Sequence, residues 1–136
     1  MADAATTPSA LAEALDKVSA ALANVTDALA KMERRLAQEK ARLEILTKVS
    51  DGQERHLANL RRGESVVSLP EFGKMRLSMS QHRSTCVKLR SNIAILTVKV
   101  GAAQKDQKLL KEEHEELRVA QANRGKIIQF RGRQNG

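Results

Sequence analysis

Bulky aromatic side chains are nearly missing: the 136-residue chain has no Trp, no Tyr and only two Phe. Little is left to fill a globular centre or to wall an enzyme pocket. A single cysteine, Cys86, excludes an intrachain disulfide framework, so a reducing compartment is the simpler expectation. No run approaches the roughly 18 uncharged apolar residues that a membrane span needs. Met1 to Pro8 carries Asp3 and neither Lys nor Arg, which fits neither a secretory signal nor a transit peptide. An intracellular, cytoplasmic protein with no membrane span is expected.

Negative charge is missing from one long stretch. Between Glu71 and Asp106 there is no acidic residue, while Lys74, Arg76, Arg83, Lys88, Arg90, Lys99 and Lys105 accumulate. The N-terminal segment is the reverse. Residues 1–30 hold Asp3, Glu13, Asp16 and Asp27 against Lys17, a net of −3, leaving +11 for the rest of a chain whose total is +8. Such asymmetry favours an anionic neighbour, either nucleic acid or an acidic protein surface.

What the chain does have is Ala, Leu, Glu, Lys and Arg, arranged with the period of long helices. Leu15, Leu22, Leu29, Leu36, Leu43, Ser50 and Leu57 recur every seven residues, alternating with Leu11, Val18, Val25, Met32, Glu39, Leu46, Gln53 and Leu60. A second ladder runs Phe72, Met79, Cys86, Ile93, Val100, Gln107 and His114, alternating with Met75, His82, Leu89, Leu96, Ala103, Leu110 and Leu117. Residues whose numbers sum to 132 pair the two ladders seam to seam: Leu43 with Leu89, Leu22 with Leu110. That is the register of an antiparallel coiled-coil hairpin. The expected fold is all-α, two helices of about 50 residues, able to join a larger helical bundle.

Boundaries follow from local chemistry. Residues 1–8 are expected to be a flexible N-terminus. Helix one, 9–62, begins near Thr7, Pro8 and Ser9, a hydroxyl cap and a first-turn proline. It ends at Arg61-Arg62-Gly63, where cations meet the negative end of the helix dipole. A turn, 63–68, forces antiparallel neighbours. Helix two, 69–124, opens on the capping box Ser68-Leu69-Pro70-Glu71 and fades at Asn123-Arg124-Gly125. Residues 125–136 form a basic tail, too poor in apolar residues to stay folded alone. Asp51-Gly52 is a weak point, since a mid-helix glycine costs about 1 kcal/mol against alanine; a break there would give three helices.

Chemistry finds little footing. A nucleophile needs an adjacent base and an orienting third group, and such a hairpin offers no pocket in which to gather them. No catalytic residue, no cofactor and no small-molecule substrate are expected. His82 and Cys86 have the i,i+4 spacing of a metal-ligand pair, but the register opposes them with Ser50 and Leu46. A packed thiol, with an imidazole bonded to Ser50 or Gln53, accounts for them better, so no metal site is assigned. Polar seam residues such as Glu39, Ser50, Gln53 and His82 cost stability and penalise wrong registers.

A second apolar stripe lies outside the seam. Val87, Ala94, Ile95, Val98, Ala102 and Leu109 recur on the outer face of helix two, with Ile45 and Val49 at similar height on helix one. Scattered exposed apolar residues are ordinary, but a helix apolar on two faces expects a further neighbour. These eight residues form the candidate partner-binding face, for a second copy or for other coiled-coil subunits. Arg76, Arg83 and Arg90 recur every seven residues beside the seam, with Arg76 expected to reach Glu54, Arg83 to lie near Thr47 and Arg90 near Lys40. Together with Arg124, Lys126, Arg131 and Arg133 they are candidate anion-binding residues. The expected function is a non-enzymatic structural or adaptor subunit working through coiled-coil contacts, the alternative a nucleic-acid-associated protein gripping phosphate.

Overall fold

The computed structural model describes the backbone of residues 8–135 and the side chains of residues 9–124. Two helices, α1 (Pro8–Arg61) and α2 (Leu69–Asn135), account for almost all of it and pack against each other as an all-α hairpin. α1 begins within one residue of expectation and runs unbroken through Asp51 and Gly52. A Cβ placed on Gly52 would meet nothing within 4 Å. The glycine weakens the helix, and its neighbours carry it through.

The turn is built from the residues that the sequence offers for it. Gly63 takes φ +74°, the left-handed conformation open to a residue without Cβ. Its N–H donates to the Leu60 carbonyl at 3.1 Å and that of Glu64 to the Asn59 carbonyl at 2.9 Å. These two bonds make a Schellman motif, satisfying carbonyls that the end of a helix would otherwise orphan. Across the turn, Ser68 Oγ accepts the Glu71 N–H at 3.4 Å, capping the first turn of α2. Glu71 adds negative charge where the helix dipole is positive.

The end of α2 differs from expectation. The helix continues past Arg124 and Gly125 to Asn135. No proline follows Gly125, and a glycine in a helix costs only about 1 kcal/mol, so nothing in that segment forbids another three turns. The expected boundary weighed one glycine too heavily.

The chain divides into two compact units, one of Met32–Lys99 and one of Met1–Lys31 with Val100–Gly136. In the first, Leu57, Met79, Cys86, Leu89 and Leu96 are buried, Met79 and Leu89 to 3% exposure. Leu36, Leu43, Leu46 and Ile93 are half-buried around them. In the second unit Val18, Leu29 and Val100 are buried, with Leu22, Val25, Ala103 and Leu110 half-buried. Every one of the seam positions read from the heptads is buried or half-buried, and none is exposed. No described side chain is wholly shut off from solvent, as expected where each helix has one partner instead of several.

Cross-helix hydrogen bonds report the register inside each unit. Gln53, whose expected opposite is Met79, bonds Ser78 at 3.1 Å and His82 at 3.0 Å, one residue before Met79 and three after it. Thr26, whose expected opposite is Asp106, accepts from Gln107 at 3.1 Å. The surface pairs Glu13–Lys17, Asp27–Lys31 and Glu44–Lys48 are exposed i,i+4 contacts, worth only about 0.3–0.5 kcal/mol each.

Candidate partner-binding face

The residues outside the seam decide what the molecule offers to others. In the unit Met32–Lys99, Val87 is 63% exposed, Ile95 51% and Val98 72%, with Ala94 exposed between them. Ile45 and Val49 on α1 are also exposed. In the other unit, Ala102 and Leu109 of α2 are exposed. The helical period explains why: with the seam turned inward, residues a third of a turn or more away face solvent. All eight of these residues are exposed.

Further apolar exposure occurs where the sequence reading placed none. Val66 is 95% and Leu69 84% exposed at the turn, and Leu77 is exposed on α2. Leu60, Val66, Val67, Leu69 and Phe72 line a shallow recess there of about 400 Å³, with Arg61 and Ser65 at its edge. Val66 lies in the connection and Leu69 opens α2, both outside the seam.

Hydrogen bonds through Gln53 join the polar layer. Gln53 donates from Nε2 to Ser78 Oγ and accepts at Oε1 from His82 Nδ1. That amide orientation places the ring proton on Nδ1. Cys86, one turn on, is buried at 5% exposure. The structure thus joins His82 to Gln53, one of its two expected partners. Glu39 behaves differently: its Oε2 is buried without a hydrogen-bond partner. A carboxylate oxygen in an apolar layer carries a desolvation cost with nothing to offset it.

The candidate anion-binding residues differ in their surroundings. Arg83 pairs with Glu54 at 3.2 Å, where Arg76 was expected to make that contact. Arg76 instead lies over the Phe72 ring, 5.9 Å from its centre, a cation–π spacing on one helix face. Long side chains reach along the seam by a turn, so the number-sum rule misassigned the pair. Arg90, by contrast, makes no ion pair or hydrogen bond among the described residues, and it is exposed. Arg124 is half-buried, and the side chains of Lys126, Arg131 and Arg133 lie outside the described residues.

Near the end of the described side chains, Arg118 holds Glu115 by two contacts of 2.6 and 3.0 Å. The hydrogen bond from the guanidinium keeps the Glu115 carboxyl below its ordinary value and raises Arg118 in turn. Both groups are in water, so the pair is a surface feature. Among the described residues no three His, Cys, Asp or Glu gather in a metal-holding group, and no helix is long and apolar enough to cross a membrane.

No protein-family profile, no curated protein and no solved structure matches this chain.

Proposed function

We propose that the protein is a non-enzymatic structural or adaptor subunit that assembles with other helices through the outer stripe of α2. The observation carrying this is the exposure of Val87, Ile95, Val98 and Leu109 on a helix whose seam face is already buried. One apolar face suffices for a hairpin; a second, lying in water, costs free energy until a neighbour covers it. Ile45 and Val49 on α1 are exposed as well.

Replacing Ile95 and Val98 by Lys tests the reading. Helicity by circular dichroism is expected to persist, because neither residue belongs to the seam. Self-association or recovery of partner proteins on affinity capture is expected to fall to background. Unchanged mass and unchanged recovery would contradict the proposal.

A second reading, nucleic-acid association, is favoured by Lys88, Arg90 and Lys99, exposed and without ion pairs among the described residues. Retention on a polyanion column should then fall steeply with salt, because phosphate contacts release counterions. It should weaken further when Arg124, Lys126, Arg131 and Arg133 become Ala. Retention that is flat across salt would end this reading.

A further inference from the structure

Along one edge of the hairpin, ion pairing changes from heptad to heptad. Glu54 of α1 and Arg83 of α2 meet at 3.2 Å. Seven residues on along α1 and seven back along α2 bring the same two faces together again, because residues seven apart lie nearly above one another. Those positions hold Arg61 and Arg76. An arginine therefore stands where the carboxylate for Arg76 would be. One heptad the other way, the same positions hold Thr47 and Arg90.

At the turn end of this edge lies a recess of about 300 Å³, lined by Leu57, Arg61, Arg76, Met79, Ser80 and Arg83. All six residues belong to the unit Met32–Lys99. Leu57 and Met79 are buried seam residues and form its floor. No carboxylate lines it. Arg61 has no ion pair or hydrogen bond among the described residues, and Arg76 has only the Phe72 ring. Glu54 offsets one of the three guanidinium charges, so three less one leaves +2 at the recess. The next recess along the edge shows the contrast. It holds Arg83 and Arg90 but also Asp51 and Glu54, so its charges balance.

We propose that the recess between Arg61, Arg76 and Arg83 binds a phosphate group carried on a compact soluble molecule. The site shares no residue with the outer stripe of α2 and does not depend on it. A phosphomonoester carries about −1.5 to −2 at neutral pH, close to the charge left uncompensated here. Its oxygens point to the corners of a tetrahedron, so guanidinium groups from both helices can donate to it together. A carboxylate presents two oxygens in one plane, which a single guanidinium satisfies. Ser80 adds a hydroxyl donor. The apolar floor excludes water on one side, which strengthens charged hydrogen bonds above it and gives the carbon part of the ligand a surface to cover. The volume lies at the low end of the roughly 300–1,000 Å³ of small-ligand sites, which fits a small molecule and not a folded partner.

Isothermal titration calorimetry of the full chain with inorganic phosphate and with pyrophosphate tests the site. Pyrophosphate is expected to bind saturably, one per chain, and more tightly than phosphate. Arg61→Gln and Arg76→Gln are each expected to weaken it about tenfold, the scale of one charge-assisted hydrogen bond. Glu54→Gln releases Arg83 and is expected to tighten binding about twofold to fivefold. Arg55 has the same charge and lies outside the recess, so Arg55→Gln is the control and should move affinity less than about twofold. All four side chains are exposed, and circular dichroism checks that each variant keeps its helicity. Wild-type protein should also melt higher in pyrophosphate than in sodium chloride of equal ionic strength, a readout that needs no substitution. No saturable pyrophosphate binding, no excess stabilisation over sodium chloride, or an equal loss with Arg55→Gln and Arg76→Gln would each overturn the proposal. The first of these, with retention on a polyanion column intact, would refute this site and leave nucleic-acid association standing.

Discussion

Glu39 sets one carboxylate among the leucines of the seam, and its Oε2 is buried with no hydrogen bond to receive. Burying a polar atom unpaired costs about 1–3 kcal/mol, and leucine has a helix propensity close to that of glutamate. Glu39→Leu is therefore expected to raise stability by about 1–2 kcal/mol, read as a higher urea midpoint at an unchanged slope. A lower midpoint would mean that the carboxylate is supported in solution. Gln53 shows the opposite case at the same depth. Both ends of its amide are used, by Ser78 and His82, so its polarity is compensated. Two polar seam residues thus carry different costs, and only the partners distinguish them. Heptad position alone made both look like register devices; the missing partner of Glu39 could not be read without side-chain geometry.

For the helices as elements, the two informative glycines act in opposite senses. Gly52 lies in the middle of α1 with open space where a Cβ would go, so Gly52→Ala is expected to stabilise by about 1 kcal/mol. Gly63 holds φ +74° at the C-terminus of α1, so Gly63→Ala is expected to cost about 1 kcal/mol through strain. Thermal melts of the two variants should move in opposite directions, and a shift of the same sign would contradict the assigned helix boundary. The seam, the turn and the start of α2 were legible because each has a strong local cause: heptad spacing, a glycine after two arginines, a serine three before a glutamate. The end of α2 was not, because residues 125–135 contain no decisive breaker. The Arg83–Glu54 pair was missed for a different reason, since the reach of two long side chains is set by their rotamers and not by register. The exposure of the stripe residues was legible from period alone. The exposed Val66 in the connection and Leu69 at the start of α2 were not singled out, because both precede the heptad ladder that begins at Phe72.

Taken whole, the molecule has a seam that is half-buried more often than buried. Seam leucines contribute well under the roughly 1.5–3 kcal/mol of full burial, while ordering each residue costs about 1–2 kcal/mol for backbone alone. A hairpin of this kind gains from any partner that covers its second apolar face, which links its stability to its proposed assembly. Charge is also segregated along the chain, acidic in the first 30 residues and free of acids from 72 to 105, so partners that approach different parts meet different signs. All of this depends on the two helices folding back on each other within one chain. Pulsed electron paramagnetic resonance between spin labels at Thr26→Cys and Gln107→Cys, in the Cys86→Ala background and diluted with unlabelled protein, tests that most directly. Those residues are 81 apart in sequence and hydrogen-bonded at 3.1 Å, so the label separation is expected to be near the roughly 10 Å spacing of packed helices plus the label arms. A separation approaching the roughly 120 Å of one continuous helix over the same stretch would contradict the hairpin.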